Sequence, residues 1–304
     1  MNPRLLLSLF VIGFTLAATA VAEETDFCHR TSQAALRSCR SGADSDYWLA
    51  LGNCDNVSDP AARKTCKQQA LADSRDAQVT CNDQHSARQA ACERLGDDPY
   101  DPVIDPENFV DKIDNPYFPL TPGTTYIYEG RTPDGFEHSE FAVTKNTIQI
   151  MGVSCVEVYD TAKVNGELVE DTLDWFAQDR EGNVWYFGEN TRQLSGGLIV
   201  GLEGTWTGGV DSAKPGIIMK AHPVIGDFYR QEFSLATAED LAGVTSLDKT
   251  AVVRAGTFHH CLQTRDISST KVGDVELKYY APGVGNVLVT SSGERLELVR
   301  VTRQ

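Results

Sequence analysis

Sulfur, imidazole and carboxylate groups are the residues of this chain best suited to chemistry, and their spacing excludes most reactions. No G-x-S-x-G, H-E-x-x-H or phosphate-binding loop occurs in the sequence. The six histidines, His29, His85, His138, His222, His259 and His260, show no metal-ligand spacing beyond one adjacent pair. That pair precedes Cys261 in FHHC. On a strand His260 points to the opposite face from the thiol, and His259 lies ~7 Å away. A base must reach its nucleophile by a hydrogen bond, so Cys261 is not read as one. Glu170, Asp174 and Asp179 invite comparison with a glycosidase carboxylate pair. Four residues along a strand span ~13 Å, beyond even the inverting separation, so they read as polar-face and turn residues. Met219 and His222 offer one thioether and one imidazole, which is not a copper site. No residue is assigned a catalytic role.

Two segments keep the capacity to bind. Residues 201–227, GLEGTWTGGVDSAKPGIIMKAHPVIGD, read as a long loop, and long loops on a rigid sheet often carry function. Trp206, Asp211, Lys214 and His222 are its candidate ligand-binding residues. The alternative is an ordinary loop plugging one end of a barrel with Trp206 and Ile217–Ile218. Residues 96–123 hold seven carboxylates and six of the twelve prolines. Asp97, Asp98, Asp101 and Asp105 could supply hard oxygen ligands to calcium, although their spacing departs from the EF-hand pattern and a solvated acidic linker accounts for them as well. No other cofactor is expected.

Six of the eight cysteines form a palindrome. Cys28, Cys39, Cys54, Cys66, Cys81 and Cys92 sit symmetrically about Pro60, and Ser58-Asp59-Pro60 is a helix-start signal. Eleven helical residues return a side chain to the same face but ~16 Å further along. Cys28 therefore cannot bond Cys39, because a disulfide needs Cα atoms within about 7 Å. Two antiparallel helices folded about Pro60 would join Cys28 to Cys92, Cys39 to Cys81 and Cys54 to Cys66. Large apolar residues are sparse between 23 and 95, so the bridges replace a core. Ser41-Gly42-Ala43-Asp44-Ser45 and Gly52 are expected to break the first arm. The remaining two, Cys155 and Cys261, fall on separate expected strands and are expected to bridge each other.

The elements that must position these groups follow from the pattern of the whole chain. Residues 1–22 combine a basic start, an apolar run and Ala20-Val21-Ala22, a signal peptide cleaved after Ala22. Secreted or periplasmic export of a chain with no remaining membrane span agrees with the cysteine usage. Residues 23–95 form the six-cysteine helical hairpin. Residues 96–123 form an acidic, Pro-rich linker whose apolar residues pack against their neighbours. Residues 124–304 alternate in short runs broken by turns, including Asn165-Gly166 and Ser292-Gly293. The fold class is thus α+β: a stapled antiparallel hairpin, then ten to twelve mostly sequential antiparallel strands in a barrel, half-barrel or two-layer sandwich. A net charge of −16 disfavours nucleic acid and anionic lipid surfaces as partners.

DWFAQDREGNVWYFGE, GVDSAKPGIIMKAHPVIGDFYRQEF and LKYYAPGVGNV, with CERLGDDPYDPVIDPENFVDKIDNPYFPLTPGTTYIYEG before them, resemble a broad group of secreted bacterial proteins of unassigned function. The resemblance covers roughly residues 81–304. It implies a bacterial envelope setting and supplies no catalytic residues. The expectation is an exported, non-catalytic protein whose β domain holds an apolar small molecule or lipid. The alternatives are a structural or adhesive envelope protein that binds another protein through the hairpin, and a hydrolase or isomerase built in the 201–227 loop.

Overall fold

The computed structural model describes residues 26–303; the expected signal peptide lies outside the described residues. Helix α1 runs Phe27–Asp55 and α2 runs Pro60–Leu95. The Asp59 carboxylate accepts the Ala62 amide at 2.6 Å, and Pro60 occupies the first helical position, where its missing N–H costs nothing. Helix α2 ends at Gly96, whose φ of 88° a side chain would disfavour. Three bridges join the arms as the mirror spacing requires, Cys28–Cys92, Cys39–Cys81 and Cys54–Cys66, each with Cα atoms 5.6 or 5.7 Å apart. Between the rungs the interface is mostly small, with Ser32, Ala35, Ala43, Ala70 and Ala91 buried.

One expectation for this hairpin fails. Helix α1 is continuous through Ser41–Ser45 and through Gly52. A glycine inside a helix costs about 1 kcal/mol, and each of the two is followed by a disulfide anchor within the same helix. Propensity yields to the staples.

The linker is not a tether. It forms a short 3₁₀ turn at Pro106–Asn108 and a strand β1, Phe109–Val110. Ile113 and Leu120 then bury completely against the β domain.

The β domain opens with five hairpin-linked strands: β2 (Thr124–Thr132), β3 (Gly135–Ile150), β4 (Val153–Val164), β5 (Glu167–Asp179) and β6 (Val184–Ser195). Five short strands follow: β7 (Leu198–Gly201), β8 (Trp206–Thr207), β9 (Lys214–Met219), β10 (Phe228–Arg230) and β11 (Glu232–Phe233). A second meander completes the chain: β12 (Asp240–Val253), β13 (Gly256–Ser268), β14 (Val275–Ala281), β15 (Gly285–Ser291) and β16 (Glu294–Arg303). Part of the expected 201–227 loop is therefore sheet. Pairing is antiparallel throughout, in the order β10-β12-β13-β14-β15-β16-β2-β3-β4-β5-β6-β9-β11. The two ends of this path, β10 and β11, are successive halves of one run, 228–233. Its first half pairs with β12 and its second with β9. At the joint, the Gln231 amide donates to the Asp240 carbonyl at 2.8 Å. The sheet is thus curled nearly into a barrel.

Cys155 and Cys261 are both free and buried, which corrects the expected fourth bridge. Cys155 on β4 packs with Trp175, Ala177 and Phe187, beneath Ile104 and Phe109 of the linker. Cys261 on β13 belongs to the larger cluster that includes Val158, Phe176 and Leu298. Five strands separate β4 from β13 in the sheet, so the two sulfurs lie in different packing layers. Burial holds the Cys155 thiol up at about 12 and also raises Cys261, so neither is a reactive thiolate.

The hairpin is fastened to the barrel by charge. Arg88 of α2 is 5 % exposed and grips the buried Glu239 through three hydrogen bonds of 2.9 to 3.1 Å. Arg94 stacks over Phe228, with 3.6 Å from guanidinium carbon to ring centre. Gln84 donates to the Thr270 carbonyl at 2.9 Å.

Candidate functional site: an acid-lined lumen

Inside the barrel each strand changes character along its length. On β4 the inward series reads Val156, Val158, Asp160; on β5 it reads Phe176, Asp174, Glu170; on β3 it reads Phe141, Ser139, Glu137. Strand β14 repeats the gradient as Tyr280, Lys278, Glu276. Register sets these series side by side but staggered: Val156 meets Phe176, while Phe141 lies opposite Asp160 and Val158 opposite Asp174. The result is a lumen with an aromatic floor and a carboxylate-rich upper half.

The floor is closed by the linker. Phe118, Pro119 and Leu120 enter beneath Tyr126 and Phe141, with Phe118 edge-on to Phe176 at 5.4 Å. Phe176 stacks on Tyr186 at 4.8 Å, and Tyr186 meets Trp206 edge-on at 5.5 Å. Above this cluster is a cavity of about 490 Å³. It shares Glu170, Glu189, Glu232, Asp240, Glu276 and Lys278 with a second cavity of about 830 Å³ that reaches Gln84 of α2.

A β-bulge aims one of the shared carboxylates. Between the Trp175–Gly188 and Phe176–Tyr186 pairs the register slips by one. Tyr186 and Glu189 consequently both face the lumen, while Phe187 between them packs into the outer cluster. Gly188, at φ 142°, permits the crossing of β8, because a Cβ there would meet the Trp206 carbonyl at 2.5 Å. Glu189 then lies opposite Asp174 on one side and Trp206 on the other.

The electrostatics follow from crowding in a confined space. Burial, with Glu170 and Glu137 nearby, raises Asp160 to about 7. Burial also raises Glu189 to about 7, against the opposing hydrogen bonds of Thr191 and Tyr186. Asp174 stands well above its ordinary value, through burial and the neighbouring Asp160 and Glu189, although Tyr186 donates to it at 2.5 Å. Glu232 is likewise raised by burial and Asp240, despite a 2.7 Å hydrogen bond from the Trp206 indole. Lys278 is the exception in sign. Burial alone would lower it, but Asp266, Glu276, Tyr280 and Asp240 together hold it well above normal. It pairs with Asp266 at 3.2 Å and Glu276 at 3.1 Å. The other oxygen of Asp266 is buried without a hydrogen-bond partner.

The residues singled out from sequence are dispersed. Trp206 is inside and bonded to Glu232. Asp211 is an exposed turn residue with φ 49°, and His222 is exposed. Lys214 reaches out to Asp101 at 2.6 Å. The four linker aspartates also go separate ways. Asp97 approaches His29 beside Asp26, Asp101 takes Lys214, and Asp105 caps the 3₁₀ turn. Asp98 is exposed. Asp179 is the turn residue expected, accepting from the Asn183 amide and the Trp185 indole. Glu170 and Asp174 do lie on a polar face, but that face is the lumen.

Comparison of the chain with family models, curated proteins and solved structures returns no match. The site therefore rests on its own geometry.

Proposed function

We propose that this chain is an exported, non-catalytic binding protein that holds a small organic molecule in its barrel lumen, with the apolar part of that molecule against the aromatic floor. One observation carries the reading: the centre of the barrel is open space between Phe176 and the upper carboxylates rather than packed side chains. Cavities of this size suit small ligands, and barrel mouths are common places for them. Three disulfides across a hairpin with a thin core fit an oxidising, extracytoplasmic setting. None of the described helices is long and apolar enough to cross a membrane.

The rival readings have less behind them. A hydrolase or isomerase in the 201–227 segment needs Asp211, Lys214 and His222 to converge, and they do not. A protein-binding hairpin draws support from Trp48, 68 % exposed, and the adjacent exposed Leu49. Yet that hairpin is docked through Arg88, not free-standing.

Native mass spectrometry of protein isolated from its own compartment tests the proposal. A bound mass of a few hundred daltons that is lost on unfolding is expected. Bare protein, together with no uptake of the apolar dye N-phenyl-1-naphthylamine, would overturn it.

A further inference from the structure

The charge of the lumen narrows the ligand class. Nine carboxylates line the lower cavity against one cation, Lys278. In a confined space each adds to the repulsion felt by the others, and a protein relieves this by taking up protons or a cation. The wall is built to hold charge all the same: Glu189 is aimed inward by a bulge, and Glu232 is held by the Trp206 indole.

Two further observations select the kind of cation. The lumen carboxylates crowd in pairs, as Asp174 does with Glu189, but no three of them converge on one point. Among the described residues, the one trio of candidate ligand atoms within 4.8 Å of one another is Asp26–His29–Asp97, which is outside the lumen. A hard metal ion wants several oxygens around one point. Carboxylates at successive levels, such as Glu170 and Asp174 about 13 Å apart along β5, suit a chain carrying separated positive charges. Independently, Asp266 is 5 % exposed and lines the upper cavity with one oxygen unsatisfied. An unpaired buried acceptor is costly, and an ammonium group presents three donors. Below, Tyr186, Phe176 and Tyr280 border the same space and give methylene segments an aromatic wall.

We infer that the lumen binds a linear aliphatic polyamine, its ammonium groups among Asp174, Glu189, Glu232, Asp240 and Asp266 and its methylene segments against the aromatic wall. The inference rests on the small-molecule reading above and specifies its ligand.

Isothermal titration of the full, disulfide-intact chain with spermidine at pH 7.5 and low salt tests it. Saturable binding is expected at one site. Glu189→Gln and Asp240→Asn should each weaken it by about tenfold, which is one factor of ten in Kd. Asp55→Asn, on the exposed hairpin, should leave it unchanged. Both lumen variants are nearly isosteric, and urea unfolding verifies that they remain folded. Binding that is equal in all variants, or abolished by equimolar calcium, overturns the inference. No spermidine heat up to millimolar concentration also overturns it. If the naphthylamine dye still binds in that last case, the small-molecule reading survives; if neither binds, both readings fall.

Discussion

Replacing Glu189 by glutamine should stabilise the protein, and only at neutral and alkaline pH. Glu189 faces Asp174 across the β5–β6 pair and shares the lumen with Glu170 and Asp240, and the Thr191 hydroxyl donates to it. Its carboxyl titrates at about 7 in the folded chain against an ordinary 4.5. The folded state therefore holds a proton that the unfolded chain releases between those two values. Stability from this site is complete below about pH 4.5, falls as pH rises, and reaches its minimum above about 7. At 1.36 kcal/mol for each pH unit of displacement, the loss is at most about 3 kcal/mol. Contact with lumen water reduces it, so about 1–2 kcal/mol is the working expectation. Glutamine keeps the shape and cannot ionise. Urea unfolding with the bridges intact, at pH 4.5 and pH 8, measures the difference; urea leaves the charges unscreened. Glu189→Gln should exceed the parent at pH 8 and match it at pH 4.5. A variant less stable than the parent at pH 8, or a difference independent of pH, would refute the claim that confinement strains this carboxylate.

Other substitutions probe the scaffold. Arg88→Ala strands Glu239 in a buried site and should cost about 3–5 kcal/mol, whereas a paired Arg88→Met, Glu239→Leu variant should recover most of that in the same unfolding assay. Replacing Cys39 and Cys81 together by serine should lower stability by roughly 2–4 kcal/mol, read as a drop in Tm of the hairpin-containing chain. Cys155 and Cys261 should resist a thiol reagent at pH 8 in the native protein, and two thiols per chain should react in urea. No reactive thiol after unfolding would restore the fourth bridge.

The architecture was largely legible because its cues are local. Mirror spacing, together with the start signal at Asp59-Pro60, gave the hairpin and all three of its rungs. Asn165-Gly166 and Ser292-Gly293 gave turns where β4 meets β5 and β15 meets β16. What failed depended on distance in space. The Cys155–Cys261 bridge needed the strand order, which places them in separate layers. The helix break at Gly42 needed the strength of the staples on either side of it.

The site was hidden for a different reason. Alternation identifies two faces of a strand but not which of them meets bulk water. Glu170 and Asp174 therefore read as ordinary polar-face residues, and the 201–227 segment as the candidate binding region. Two signals were available in the sequence. Gly188 inside VWYFGENTR marks a bulge, and the inward series of β3, β4, β5 and β14 each exchange apolar for acidic residues in one direction. Aligned by their hairpins, they describe a vessel with an apolar bottom.

Carboxyl carbon NMR of the aspartates and glutamates, titrated from pH 3 to 9, tests the acid-lined lumen most directly. At least two resonances, assigned by Asp160→Asn and Glu189→Gln, should titrate near 7 and move to lower pH when spermidine is added. Every carboxylate titrating below pH 5, with no response to the amine, would contradict the account.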